Sequence, residues 1–280
     1  MKRNFLILLI AGLSAYAGFS FVDNSAIRNR VEQAFRNFSD EYREKKSDHF
    51  IIYYHKNLES FSKNVIDSAE QGYKEIAAHL GYRRFDDFWS WENRCIIVIF
   101  PDRKTFLNST KVESWTDGLS LPEHRILVGY QGIGGFSENV VPHEITHLLL
   151  HDFFNGDVPL WINEGLSVYM EKNREMKVLN TIIRLAVKNN FLIPFRELPF
   201  FDYSMEKDKD PAKIALFYSE SFYIIKFLIE NYGLESFHDF IAALQKNNDG
   251  NTAIHEAYRK KNINNLDELE SIFLKTVKIG

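Results

Sequence analysis

Two histidines four residues apart in a strongly apolar stretch constrain this chain more than any other feature. His143 and His147 bound the sequence His-Glu-Ile-Thr-His, with valine, isoleucine and leucine on both sides. The apolar residues recur at helical spacing, which predicts a buried helix over about residues 138–152. Residues four apart lie on one face of a helix, so both imidazoles can reach the same point. The fold must therefore hold these two histidines side by side within its core.

The motif has the composition of a catalytic zinc site. Zinc binds neutral imidazole nitrogens at about 2.0–2.1 Å, and catalytic sites keep one coordination position for water. Glu144 follows His143 directly and can remove a proton from that water, whose pKa the metal lowers to about 7. We therefore predict one zinc ion bound by His143 and His147, with Glu144 as the general base.

A third ligand is expected in the sequence Trp-Ile-Asn-Glu-Gly-Leu, which begins at Trp161. The Asn-Gly pair at 155–156 and Pro159 can turn the chain, so that a second helix packs against the first. Glu164 would then complete a site of two histidines and one carboxylate. We predict Glu164 as the third metal ligand.

His151 continues the four-residue spacing but is predicted to lie outside the ligand set. Along a straight helix it is displaced by about 12 Å from His143, too far for a shared ion. Each ligating imidazole also needs an acceptor for its second nitrogen. The candidates are Asp152, Asp157 and Asn163, which the sequence does not rank.

Before the motif, the sequence predicts three strands and two helices. The strands are expected at residues 49–54, 94–100 and 125–129, and the helices at 61–80 and 103–110. Gly81 is expected to end the first of these helices, at a position where glycine is favoured. Cys95, the only cysteine, lies in the second strand and is predicted to be inert packing.

After the motif, only helices are predicted. They are expected near residues 160–172, 175–189, 213–232, 235–246 and 265–277. Residues 200–211 are expected to form a polar loop or lid. Strands first and helices afterwards predict an α+β fold, with an N-terminal mixed sheet and a mainly helical second half.

Residues 1–17 have the composition of a secretory signal peptide. Lys2 and Arg3 precede an apolar run, and Ala15-Tyr16-Ala17 offers small residues at the two positions that a signal peptidase reads. The alternative is an uncleaved anchor reaching about residue 22, because apolar character continues that far. Both readings predict an exported protein, and the second predicts membrane attachment.

The remaining chain divides into a lead-in and one main domain. Residues 23–47 place apolar side chains at helical spacing among many charges, which predicts an amphipathic helical lead-in. Residues 48–280 are predicted to form the main domain. The net charge is −4 and no dense run of lysine or arginine occurs, so nucleic acid is not expected as a partner.

Several blocks of the chain resemble a known family. The segments His143–His147 and Trp161–Leu166 resemble the peptidase MA-like (gluzincin) zinc metallopeptidases, and are similar to the same blocks of aminopeptidase N-type enzymes. The resemblance continues, more weakly, through residues 217–222 and 228–233, and covers about residues 49–245. It implies a small zincin-like domain whose helices carry the metal ligands and whose cleft is lined by a strand edge.

The resemblance also implies a group that stabilises the oxyanion of the tetrahedral intermediate. Tyr218 is the candidate, with His238 and Tyr223 as alternatives and a role for Tyr218 as a core aromatic left open. From its order along the chain, the strand at 125–128 is predicted to be the edge strand that pairs with an extended substrate.

These observations favour an exported zinc metallopeptidase that acts on a peptide or protein substrate. A non-catalytic exported binding or assembly protein with a structural metal site is the first alternative, and a zinc hydrolase of another amide is the second. Glu144 separates the first two hypotheses, because a structural site needs no base beside an open coordination position.

Overall fold

The computed structural model describes most of the chain beyond the N-terminal segment. The described residues are 24–37, 40–81, 89, 93–112, 116, 118–132, 135–156, 158–172, 176–202 and 210–279. The predicted signal peptide or anchor therefore lies outside the described residues. No described helix combines the length and the hydropathy that crossing a bilayer requires.

One mixed sheet of five strands forms the first half. The strands are β1 (Tyr42–Lys46), β2 (Phe50–His55), β3 (Cys95–Phe100), β4 (Gly118–Leu121) and β5 (Ile126–Tyr130). Their spatial order is β1-β2-β3-β5-β4, with β2, β3 and β5 parallel and with β1 and β4 antiparallel at the two edges. The central strands are apolar and buried on both faces, as expected for strands covered on both sides.

Three helices accompany the sheet. They are α1 (Asn24–Asn37), α2 (Glu59–His79) and α3 (Arg103–Thr110). The helix α2 crosses from β2 to the parallel strand β3 and ends before Gly81, whose φ of +76° is unfavourable for residues with a side chain. Asp102 caps α3 by accepting a hydrogen bond from the backbone N–H of Thr105.

The second half of the chain is helical. Its helices are α4 (Val141–Phe154), α5 (Leu160–Tyr169), α6 (Met176–Asn189), α7 (Pro211–Tyr232), α8 (Leu234–Asn247), α9 (Gly250–Tyr258) and α10 (Leu266–Ile279). One large core joins α2, the adjacent face of the sheet and these helices. A smaller core on the opposite face contains Ile27 and Val31 of α1, Phe106 of α3, and inward residues of the strands.

The α+β class and the helical second half are confirmed, whereas three elements were not predicted. The strand β1 was missed because its sequence, Tyr-Arg-Glu-Lys-Lys, is charged and pairs along only one edge. It occupies residues that the predicted helical lead-in included; the helix itself ends at Asn37. The other two, β4 and α9, are short.

The prediction of which strand lies at the edge of the sheet is wrong. The segment predicted for that role, residues 125–128, falls mostly within β5, which lies between β3 and β4 and has both edges paired. Among the described strands, the outermost one on this side is β4, a hairpin partner that precedes β5 in the chain. A four-residue strand containing glycine and serine carries too little β-pattern to be recognised from sequence.

Candidate metal centre

The helix α4 carries the histidine motif through the middle of the protein. A π-helical turn at Phe136–Val140 leads into it, and Pro142 occupies the first turn, where the missing N–H costs no hydrogen bond. Every residue from Val141 to Leu150 is buried. Helix α2 and strand β4 pack on α4, and α5 folds back against it. The motif is therefore buried among α2, β4 and α5.

His143, His147 and Glu164 converge on one buried point. Nε2 of His143 and Nε2 of His147 each lie 3.9 Å from Oε2 of Glu164. One ligand atom from each of the three residues lies within 4.8 Å of the other two. The side chains are only 1%, 3% and 1% exposed, respectively. The predicted ligand set is thus brought together by α4 and α5.

Hydrogen bonds orient both imidazoles. Nδ1 of His143 lies 2.9 Å from Oε1 of Glu171, and Nδ1 of His147 lies 2.8 Å from Oδ1 of Asn163. Carboxylate and amide oxygens accept hydrogen bonds, so Nδ1 of each histidine donates to its partner. Oγ of Ser167 lies 3.1 Å from the same Nδ1 of His147. Both histidines therefore direct Nε2 toward Glu164.

Glu144 is buried beside the histidines and is held from the edge of the sheet. Oγ of Ser120 in β4 donates a hydrogen bond of 2.8 Å to Oε2 of Glu144. Glu144 is 8% exposed, so its carboxylate is not surrounded by bulk water. The general-base candidate thus has a fixed partner on a neighbouring element.

The electrostatics of the centre are dominated by burial and by close acidic groups. Burial lowers the pKa of His147 to about 3, helped by the charge of His143, so His147 is neutral near pH 7. Burial also lowers the pKa of His143, but the hydrogen bond and charge of Glu171, with the charges of Glu144 and Glu164, raise it overall. Burial raises the pKa of Glu144 despite the opposing effects of His143 and Ser120.

The donor set fits a divalent transition metal ion. Two donors at about 2.1 Å from one tetrahedral ion are about 3.4 Å apart, so each 3.9 Å separation needs to shorten by only about 0.5 Å on binding. Zinc accepts two imidazole nitrogens and one carboxylate oxygen as ligands, whereas Ca²⁺ and Mg²⁺ prefer oxygen ligands alone. The carboxylates of Glu164 and Glu171 are buried close to His143, and a cation would offset their charge.

Close packing of α5 against α7 sets the position of Glu164. A Cβ atom on the neighbouring Gly165 would lie 2.6 Å from the backbone oxygen of Ser221 in α7. Only glycine allows the two helices to approach so closely. Tyr218, one helical turn before Ser221, is 3% exposed in the same helix.

The other sequence candidates have different surroundings. His151 is not part of the metal cluster, and its Nδ1 lies 3.9 Å from Oδ1 of Asp152. The carboxylate of Asp152 accepts hydrogen bonds from Trp89 and Arg125, whereas the two imidazoles of the metal cluster have Glu171 and Asn163 as partners. Asp157 lies outside the described residues.

The two alternatives to Tyr218 have partners elsewhere. Nε2 of His238 lies 2.6 Å from the backbone oxygen of Ala78, and the hydroxyl of Tyr223 hydrogen-bonds Asn180. Neither contact involves a residue of the metal cluster. Tyr218 therefore remains the candidate for the oxyanion-stabilising group.

Three contributing residues were missed by sequence reasoning. Glu171 lies seven positions after Glu164, beyond the end of α5, and reads as an ordinary acidic residue at a helix end. Ser120 lies on the unrecognised strand β4. Of the three, only Ser167 could have been predicted from the sequence. It lies four residues after the candidate Asn163 on α5, and residues four apart share a helix face.

Comparison with known proteins agrees with this arrangement. The model of a family described as the peptidase MA superfamily matches residues 96–276. The match therefore spans β3 to α10 and includes every member of the metal cluster. No curated protein matches the chain.

Proposed function

The chain belongs to the peptidase MA superfamily, and from this membership we propose that it is a zinc-dependent peptidase. The single observation that carries the proposal is the convergence of His143, His147 and Glu164 on one buried point, with Glu144 beside it. His143 and His147 hold the ion through Nε2, and Glu164 holds it through its carboxylate. When bound, the zinc ion supplies a Lewis acid that lowers the pKa of a water molecule to about 7.

Glu144 moves the proton in the proposed reaction. As the water oxygen forms a bond to the carbonyl carbon of the peptide, Glu144 accepts a proton from the water. It then delivers a proton to the amide nitrogen as the C–N bond breaks, which releases an amine and a carboxylic acid. The hydrogen bond from Ser120 holds the carboxylate of Glu144 beside the metal cluster, where it can accept this proton.

Tyr218 is proposed to donate a hydrogen bond to the oxygen that becomes negative in the tetrahedral intermediate. It lies on α7, which packs directly against the helix that carries Glu164. Replacement of Tyr218 by Phe is expected to lower kcat by about 10- to 1,000-fold, because one donor to the oxyanion is lost. Zinc content should remain unchanged in this variant.

Zinc analysis combined with the variant Glu144→Gln tests the proposal. The wild-type protein is expected to bind one zinc ion per chain and to cleave members of a peptide library. Glu144→Gln should bind the same amount of zinc and lose hydrolysis. The matched control is Glu138→Gln, in which an exposed glutamate of the preceding turn is changed and activity is kept.

Two results would overturn the proposal. If Glu144→Gln cleaved peptides at the wild-type rate, Glu144 would not be the base. If the zinc-loaded wild-type protein cleaved no peptide, the non-catalytic binding or assembly protein would be favoured instead.

Export is proposed from residues 1–17 and is tested separately. If a signal peptidase reads Ala15-Tyr16-Ala17, the mature protein should begin at Gly18. Mass spectrometry of the N-terminal peptide, after expression of the full chain in a secretion-competent host, measures this directly. A protein that retains Met1 in the membrane fraction would instead support anchoring, and one that retains Met1 in the cytoplasm would contradict export.

A further inference from the structure

The edge strand β4 presents its two faces to different parts of the protein. Leu119 and Leu121 point into the smaller core on the side of α1 and α3. Gly118 and Ser120 alternate with them and face helix α4, because successive side chains point to opposite faces of a strand. One face of β4 is thus structural, and the other borders the metal centre.

Gly118 allows β4 to lie close against the motif helix. A Cβ atom at this position would come within 2.6 Å of Cγ1 of Val140 and 3.9 Å of Cγ of Glu144. The first distance is shorter than real carbon contacts, so with a side chain at this position either Val140 or the strand would have to shift. The missing side chain of Gly118 places the next residue on this face, Ser120, within reach of Glu144.

Ser120 makes a direct hydrogen bond to the carboxylate. Its Oγ donates a hydrogen bond of 2.8 Å to Oε2 of Glu144. The side chain of a glutamate has three rotatable bonds, and Glu144 extends from α4 toward the strand. The hydrogen bond from Oγ of Ser120 to Oε2 restrains these rotations and therefore the orientation of the carboxylate.

We propose that Ser120 is a positioning residue, which holds the carboxylate of Glu144 in the orientation that proton transfer requires. This inference rests on the proposed function. A misplacement of about 1 Å in a catalytic group costs about 100-fold in rate, so a single hydrogen bond that sets the orientation has a measurable effect on kcat. Ser120 acts through Glu144 and is not itself expected to accept a proton.

Strand β4 also lies where an extended substrate would bind. Because β4 is the outermost of the described strands on this side of the sheet, it is also the strand that we expect to pair with an extended peptide. The same four residues would then bind substrate along their edge and place the base through Ser120. Pairing with the substrate and the position of Glu144 would thus both depend on the short strand β4.

The variants Ser120→Ala and Ser120→Thr test the role of the hydroxyl. Ser120→Ala is expected to lower kcat by about 10- to 100-fold, with KM and zinc content unchanged, because substrate and metal contacts remain. Ser120→Thr keeps a hydroxyl on Cβ and should restore kcat to within about threefold of wild type. A residue that only stabilised the fold would instead lower the amount of active protein and leave kcat per zinc-loaded molecule unchanged.

Ser62→Ala is the matched control. Ser62 is buried whereas Ser120 is half-buried, and the Oγ of Ser62 donates a 2.8 Å hydrogen bond to the backbone oxygen of Glu59, within α2. Its replacement removes a hydrogen-bonded serine hydroxyl without touching Glu144. Its kcat should equal that of the wild-type protein.

A crystal structure of zinc-loaded Ser120→Ala provides a readout besides activity. The carboxylate of Glu144 is expected to adopt a different rotamer from the wild-type one, or several rotamers. An unchanged position of Glu144, or a kcat of Ser120→Ala within twofold of wild type, would overturn the positioning role. An inactive wild-type protein would overturn the proposed function alone, since the position of Glu144 in the two crystal structures would still decide the role of Ser120.

Discussion

Oε1 of Glu171 lies 2.9 Å from Nδ1 of His143, and both side chains are almost completely buried. Glu171 follows α5, the helix that provides Glu164, so a single segment supplies the carboxylate ligand and the carboxylate that orients the first histidine. Asn163 of the same segment orients the second histidine. The metal centre is therefore built from two pieces of chain, with α4 supplying the imidazoles and residues 163–171 supplying their partners.

Glu171→Gln should weaken zinc binding. An amide is a poorer acceptor than a carboxylate for the Nδ1 proton, and partners of this kind are worth about 10- to 100-fold in metal affinity. Competition with a chromophoric chelator measures the zinc dissociation constant. Glu197→Gln, a change at an exposed glutamate, is the control and should keep the wild-type value. Equal dissociation constants for Glu171→Gln and the control would contradict the assigned role.

Asn163→Ala should also weaken zinc binding, by about 10-fold, because His147 loses its closest acceptor. Asn163→Asp should retain affinity, since a carboxylate oxygen accepts the same proton. Ser167→Ala is expected to have a smaller effect, because the Ser167 contact to Nδ1 is longer, at 3.1 Å. The same chelator competition tests all three variants. If Asn163→Asp lost as much zinc affinity as Asn163→Ala, the hydrogen-bond acceptor at position 163 would not explain the effect.

Gly165→Ala should destabilise the protein and the metal centre together. The new Cβ would lie 2.6 Å from the backbone oxygen and 2.8 Å from the backbone carbon of Ser221, neither of which can rotate away. Overpacking of this kind costs about 1–3 kcal/mol in the free energy of unfolding. Thermal unfolding of the apoprotein should show a lower Tm, and zinc affinity should fall because Glu164 is displaced.

Gly72→Ala is the control for this steric effect. Gly72 is also a buried glycine within a helix, but its Cβ would meet Pro142 at an ordinary 3.6 Å. Alanine is favoured over glycine within helices by about 0.5–1 kcal/mol, so Tm should stay the same or rise. A fall in Tm as large as that of Gly165→Ala would contradict the steric explanation.

Glu220→Gln should make stability less dependent on pH. Glu220 is fully buried in α7, and its Oε2 accepts a hydrogen bond from the backbone N–H of Ile193. Burial raises the pKa of Glu220 well above 4.5, and the negative charge of Glu270 raises it further. The hydrogen bond from Ile193 lowers the pKa but does not cancel these effects. The folded state therefore holds the proton more tightly than the unfolded state, so this contribution to stability is complete below pH 4.5 and is lost as the pH rises toward the folded pKa.

Glutamine keeps an oxygen that can accept the hydrogen bond from Ile193 and cannot ionise. At pH 7 the variant is expected to be more stable than the wild-type protein by on the order of 1 kcal/mol. Urea unfolding at pH 5 and pH 8 measures the difference. Glu256→Gln, at an exposed glutamate of α9, should reproduce the wild-type pH dependence. If the free energy of unfolding changed equally between pH 5 and pH 8 in Glu220→Gln and in the wild-type protein, the carboxyl group of Glu220 would not titrate between these values.

Strong local patterns predicted most elements of the fold. The buried strands β2, β3 and β5 are continuous apolar runs, and the long helices repeat apolar residues at helical spacing, so both were recognised. The two edge strands were not, because β1 is charged and β4 has only four residues. Edge strands are stabilised by pairing with a neighbour from elsewhere in the chain, which leaves little trace in their own composition.

The residues of the metal cluster followed from sequence because helix geometry relates residues four apart and because the two ligand blocks resemble those of a known family. The sequence by itself thus determined the α+β class, the ligand-bearing helices and the proposed ligands His143, His147 and Glu164. Only the tertiary structure decided which groups surround them. The contacts of Glu171 with His143 and of Ser120 with Glu144 join residues 28 and 24 positions apart. Such contacts arise when separate elements pack together, and no spacing rule along the chain encodes them.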